Sequence, residues 1–174
     1  SKSMERRASL ELRAKGRRLE GYAALYGVDT RIHDFTEVIM PGAFTETLRE
    51  GRDILALADH DPKHVLARTR SGTLRLSEDS RGLHFDLDVP NTSIGRDLLE
   101  LAERGDIGGM SFGFTVRDKG ERWEGNRREI RGINLHEISI VSAWPAYEGT
   151  TVQARRRPTV APRLIAARRW MESL

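Results

Sequence analysis

The sequence predicts a mainly β protein with inserted helices, an α+β fold whose strands form a closed or nearly closed antiparallel barrel of about seven strands. Three observations favour this fold class. Many short segments alternate apolar with polar residues. Clusters of turn-forming residues separate these segments at the close spacing that is typical of barrels and sandwiches. There is no internal repeat, and strands do not alternate regularly with helices, which argues against a parallel α/β fold.

The first half of the chain contains four predicted strands and one short helix. The strands cover residues 10–14, 19–26, 37–40 and 53–58. A helix is predicted from Pro41 to about Arg49, because proline is favoured in the first turn and Gly51 stands just past the end. The Asp59 to Pro62 segment interrupts the apolar strand before it, so we expect His60 at a strand end or at the mouth of the barrel.

The second half contains further strands and the clearest helix. The strands cover residues 65–69, 72–77, 82–89, 110–116 and 133–141, and residues 122–131 form a polar hairpin. A helix is predicted over residues 92–104, because Asn91 or Thr92 can cap it and Gly105 can end it. Its apolar residues recur at helical spacing and consist of Ile94, Leu98, Leu99, Leu101 and Ala102.

Composition divides the chain into three parts. Residues 1–9 are expected to be a flexible N-terminus, in which Ser1–Ser3 resemble a cloning remnant before a natural start at Met4. Residues 10–152 form the barrel domain, and residues 153–174 form an arginine-rich linker and a C-terminal helix. The 174 residues carry a net charge of +3, and the basic excess lies in this tail. No cysteine occurs, which excludes disulfides and a cysteine nucleophile, and no apolar run is long enough for a membrane-spanning helix.

Three residues form the candidate catalytic constellation. Ser111 lies between glycines on a predicted strand, where a peptide backbone can approach closely. A serine hydroxyl becomes a good nucleophile when a neutral imidazole accepts its proton, and His60 is the candidate base. A carboxylate then orients the imidazole, and Glu137 is the candidate. His136 is its competitor, and we expect it to point to the opposite face of its strand.

The residues alone leave a structural role open for each of the three. A histidine between Asp59 and Asp61 is also typical of a turn. Ser111 is also explained as a small residue in a crowded barrel wall, and Glu137 as part of a solvated strand face.

The order of short motifs adds a family resemblance. The motifs are GYAA at 21–24, IMPGAF at 39–44, LADHD at 57–61, GTLRL at 72–76, DSRGL at 79–83, RGDIGGMSFGF at 104–114, LHEISIV at 135–141 and PAY at 145–147. In this order they resemble the prohead proteases of tailed phages, relatives of the herpesvirus assemblin. The resemblance implies an assemblin-like barrel, with His60 and Ser111 as base and nucleophile. The assemblin relatives carry a second histidine as third member, whereas the phage motif has a glutamate, here Glu137, with His136 as fallback.

The resemblance also implies a biological role. Such a serine endopeptidase cuts scaffolding segments from capsid precursor proteins and also cuts itself. The implied location is the interior of the immature phage head (prohead) in the bacterial cytoplasm, or the cytoplasm itself if a prophage encodes the protein. The implied partners are the major capsid protein precursor and further copies of the chain, as a homodimer or higher oligomer. Neither a cofactor nor a metal nor a membrane is implied.

Two other functions compete with this interpretation. His60, Asp61 and His64 suggest a metal-dependent hydrolase, although Pro62 prevents the helix that would place both histidines on one face. The basic tail suggests a non-enzymatic module for capsid assembly or for binding nucleic acid phosphates.

Overall fold

The computed structural model describes residues 3–9 and 12–142, and this part of the chain is mainly β with two helices. The helices are α1 (Thr45–Arg49) and α2 (Ser93–Arg104). The strands are β1 (Glu5–Ser9), β2 (Leu12–Lys15), β3 (Arg18–Leu25), β4 (Thr30–Ile32), β5 (Phe35–Ile39), β6 (Leu55–Ala58), β7 (Asp61–Arg68), β8 (Leu74–Glu78), β9 (Gly82–Asp88), β10 (Gly109–Val116), β11 (Glu121–Glu124), β12 (Arg127–Ile130) and β13 (Ile133–Val141).

The strands form three open sheets, so the predicted closed or nearly closed barrel is not found. The largest sheet has the order β1-β10-β13-β6-β7, the second β11-β12-β5-β4 and the third β2-β3-β9-β8. The prediction of a purely antiparallel arrangement is also wrong, because β13 pairs with β6, and β12 with β5, in parallel. Alternation along a strand reveals its faces but carries no information about its partner or direction, which explains both errors.

The N-terminus differs from the expectation that residues 1–9 are flexible. Residues 5–9 form β1, which pairs antiparallel with β10 at the edge of the largest sheet. Arg7 is buried and donates hydrogen bonds from Nε and a terminal nitrogen to the Glu37 carboxylate on β5. Arg128 on β12 also donates to Glu37 and to Glu5. These ion pairs explain how so polar a segment is held in the fold.

The sequence signals for where a helix begins and ends were most accurate for α2. Thr92 Oγ1 accepts a hydrogen bond from the Gly95 backbone N–H, and Gly105 ends the helix in the left-handed conformation with φ of 79°. The first helix is shorter than predicted, since it begins at Thr45 rather than Pro41. The predicted C-terminal tail, residues 153–174, lies outside the described residues.

The core fixes the orientation of the strand that carries Ser111. Met110, Phe112 and Phe114 are fully buried, and Phe112 packs against both Phe114 and Phe44 with ring centroids 5.1 and 5.7 Å apart. Side chains alternate along a strand, so anchoring these three on one face directs Ser111 to the other. Among the described residues, no helix is long and apolar enough to cross a membrane.

Candidate active site

Ser111 lies in the middle of β10, between two paired strands. Its Cα partners are Ala8 on β1 and Ser139 on β13. Directly paired residues direct their side chains to the same face of a sheet. Ser111 is 0% exposed, so its hydroxyl has no surface in contact with solvent.

His60 occupies the tip of the β6–β7 hairpin. Ala58 pairs with Asp61, so Asp59 and His60 are the two central residues of the turn, and their φ values are 51° and 58°. Positive φ at both central residues defines a type I′ turn, which normally favours Asn-Gly. A residue other than glycine costs roughly 1–3 kcal/mol in such a conformation, and such strain concentrates at functional sites.

The strained turn is fastened to β13 and to the residue that follows it. The Asp59 backbone N–H donates to the Ile140 carbonyl over 2.9 Å. The Asp59 carboxylate accepts hydrogen bonds from the Ser142 backbone N–H over 2.9 Å and from its hydroxyl over 2.7 Å. These bonds hold the hairpin tip over the face that carries Ser111.

The three predicted catalytic residues meet in one hydrogen-bonded line. His60 Nε2 lies 2.9 Å from Ser111 Oγ, and His60 Nδ1 lies 2.5 Å from Glu137 Oε1. The His60 side chain is 4% exposed and that of Glu137 14%. With its Nδ1 proton donated to Glu137, a neutral imidazole leaves Nε2 free to accept the Ser111 proton. The arrangement has the parts and spacing that acyl transfer through a serine requires.

Ser139 is a fourth member of the cluster and was not among the candidate residues predicted from the sequence. It is 0% exposed. Its Oγ accepts the His60 backbone N–H over 2.9 Å and donates to Glu137 Oε2 over 3.1 Å. The alternation in residues 135–140 was a signal for its position, but nothing local signals its contact with a turn 79 residues earlier in the chain.

His136 differs from the expectation that it points to the opposite face from Glu137. Gly113 pairs with Glu137 and Phe114 with Leu135, so His136 is the extra residue of a β-bulge. Its Nε2 lies 3.0 Å from Thr115 Oγ1, a residue that shares the face of Ser111. Burial lowers the pKa of His136, as does the positive charge of Arg52, although Glu137 raises it. His60 therefore contacts Glu137, whereas His136, the alternative to Glu137, contacts Thr115.

The positions of His60, Asp61 and His64 do not match the metal site of the alternative interpretation as a metal-dependent hydrolase. Among the described residues, no group of three or more histidine and acidic side chains is arranged to hold a metal ion. His64 Nδ1 lies 3.3 Å from Asp61 Oδ2 on the exposed part of β7, whereas His60 points toward Glu137 and Ser111.

Comparisons with known proteins found a matching family and a similar fold. The family model of the caudovirus prohead serine proteases matches residues 2–161. The fold is similar to the structure of the bacteriophage T4 capsid assembly protease, gp21, with a TM-score of 0.59 and 9% sequence identity. That match covers 80% of this chain and 97% of the other. No curated protein matches the sequence.

Proposed function

The chain belongs to the family of caudovirus prohead serine proteases, and on that premise we propose that Ser111, His60 and Glu137 are its catalytic triad. One observation carries the assignment. Ser111 Oγ, the two ring nitrogens of His60 and Glu137 Oε1 form an unbroken line of contacts of 2.9 and 2.5 Å. Nucleophile, base and orienting carboxylate are recognised by this geometry and not by their order in the chain.

The first half of the proposed reaction forms an acyl-enzyme. Ser111 Oγ attacks the carbonyl carbon of the scissile peptide bond while its proton passes to His60 Nε2. The Glu137 carboxylate stabilises the resulting imidazolium through the Nδ1 proton. His60 then gives the Nε2 proton to the amide nitrogen, the C–N bond breaks, and the amine end of the substrate leaves.

The second half hydrolyses the acyl-enzyme and restores the site. A water molecule gives a proton to His60 Nε2 and attacks the ester carbonyl. The proton returns to Ser111 Oγ as the ester bond breaks, and a carboxylic acid leaves. Ser111 has no exposed surface here, so binding of a substrate requires the residues around it to move.

The proposed substrates are the scaffolding segments of capsid precursor proteins and the chain itself, cut inside the immature head. The family assignment supports this choice. Assembly into a dimer or a higher oligomer belongs to the same proposal, since enclosure in a head brings many copies together.

Co-expression with the phage's own capsid precursor tests the proposal, with intact mass as the measurement. The wild-type chain should shorten the precursor, and Ser111→Ala should abolish shortening. Ser77→Ala, at an exposed position on β8, is the matched control and should behave as wild type. Equal shortening by Ser111→Ala would remove Ser111 from the mechanism.

A further inference from the structure

Ser139 joins the backbone of the His60 turn to the Glu137 carboxylate. The three residues form a closed ring of hydrogen bonds: the His60 backbone N–H to Ser139 Oγ, Ser139 Oγ to Glu137 Oε2, and His60 Nδ1 to Glu137 Oε1. Ser139 and Glu137 are two residues apart on β13 and so share a face. The ring therefore depends on two features. Alternation along β13 puts Ser139 and Glu137 on one face, and the tip of the β6–β7 hairpin brings His60 to them.

The donor inventory fixes the direction of each bond. The His60 backbone N–H can only donate, so Ser139 Oγ accepts it. The single proton of the Ser139 hydroxyl is then available to Glu137 Oε2, because an ionised carboxylate can only accept. Glu137 thus has one oxygen held by Ser139 and the other directed at His60, and rotation of the carboxylate would break one of the two bonds.

The turn needs an anchor on the His60 side. Asp59 and His60 both have positive φ, and such a strained conformation persists only when surrounding contacts hold it. Ser142 holds the Asp59 side of the turn by donating two hydrogen bonds to the Asp59 carboxylate. Ser139 holds the His60 side, and of the two serines it is the one bonded to Glu137.

We propose that Ser139 is a positioning residue for the catalytic step, which holds the His60 backbone and the Glu137 carboxylate in register with each other. It acts through these two residues and does not contact the substrate. The inference rests on the proposed triad. A displacement of about 1 Å in a catalytic group can cost as much as roughly 100-fold in rate, so an anchor of this kind has a measurable effect.

The test compares Ser139→Ala with Ser142→Ala, which removes a hydroxyl that contacts the same turn but keeps the bond from the backbone N–H of residue 142 to Asp59 and does not touch Glu137. The substrate is a fluorogenic peptide that spans the cleavage site mapped on the capsid precursor. We expect Ser139→Ala to lower kcat by about 10- to 100-fold with little change in KM, and Ser142→Ala to keep kcat within about threefold. Thermal unfolding of both variants measures the structural contribution.

A spectroscopic measurement separates positioning from stability. Proton NMR of the His60 Nδ1–H in wild-type enzyme should show one sharp, strongly downfield resonance. The resonance should broaden or disappear in Ser139→Ala and persist in Ser142→Ala. Should the alanine variant fail to fold, Ser139→Cys replaces the hydroxyl by a weakly donating thiol of similar shape and carries the same expectation.

Two outcomes would overturn the inference. One is an equal loss of kcat in the Ser139 and Ser142 variants, and the other is an unchanged Nδ1 resonance in Ser139→Ala. Either result with an inactive Ser111→Ala enzyme rejects the role of Ser139 and leaves the triad intact. Full activity of Ser111→Ala would instead reject the triad.

Discussion

Gly113 lies across from Glu137 in the β10–β13 ladder, and a Cβ atom on Gly113 would stand 2.7 Å from Glu137 Oε1. That oxygen is the one that contacts His60. Gly113→Ala should therefore push the carboxylate away from the imidazole and lower kcat by about 10-fold or more, with little effect on the melting temperature. Gly132→Ala is the control, because its Cβ would meet only ordinary contacts of 3.4 Å or more. Equal activity of both variants would contradict the expectation.

Replacement of Glu137 and of His136 should have very different effects on catalysis. Glu137→Gln keeps the shape of the side chain but removes the charge that stabilises the imidazolium, so we expect kcat to fall by roughly 1,000- to 10,000-fold. His136→Gln should retain activity within a few-fold, since His136 contacts Thr115. Steady-state cleavage of the fluorogenic peptide measures both. The opposite ranking would make His136 the third member of the triad.

The Glu37 carboxylate should contribute strongly to stability. It is 2% exposed and accepts hydrogen bonds from Arg7 and Arg128. Glu37→Gln removes the more buried of the two carboxylates that Arg7 and Arg128 share, while Glu5 still contacts both. The expected loss is about 3 kcal/mol in the free energy of unfolding, the lower end of the range for a broken buried ion pair. Denaturant unfolding measures it. Glu121→Gln removes an outer partner of Arg128 and should cost about 1 kcal/mol or less; a loss as large as that of Glu37→Gln would contradict this account.

Asp86 should make stability depend on pH in the acidic range. The hydrogen bond from Arg18 lowers the pKa of Asp86, and Arg75 adds to this effect against the opposing effect of burial. The native carboxyl thus binds a proton less readily than the unfolded one, whose pKa is near 3.8. Its stabilising contribution is complete above that value and is lost as the pH falls through the lower native pKa.

Melting temperatures of Asp86→Asn and wild type, measured from pH 7 to pH 2.5, test this dependence. The difference should be largest at neutral pH and shrink below about pH 4. A constant difference across the range would show that the ion pairs of Asp86 do not stabilise the fold.

Local sequence patterns indicate which face of a strand each residue occupies, whereas the turn at His60 and the bulge at His136 depend on long-range contacts. Alternation along a strand is enough to separate Ser111 from the face of Met110 and Phe112, and to put Glu137 and Ser139 on one side of β13. The type I′ turn could not be read from the sequence, because Asp59-His60 lacks the Asn-Gly signal. The bulge at His136 could not be read either, since it depends on the register with β10.

The order of the strands was the part least accessible from the sequence. The Glu5–Ser9 segment is polar and arginine-rich, and it is held as a strand by its pairing with β10 and by the contact of Arg7 with a carboxylate 30 residues away. The parallel pairing of β13 with β6 joins segments that are distant in the chain, and no local pattern encodes such a pairing.

The position of β13 bears on when the enzyme can first act during its own synthesis. Ser111 lies on β10 and His60 follows β6, and in the sheet these strands are separated by β13, which is translated after both. A ribosome-bound chain that has not yet exposed residues 133–141 therefore lacks the strand that sets the spacing of the proposed nucleophile and the proposed base. With the proposed triad, cleavage by this chain therefore has to wait until β13 has joined the sheet.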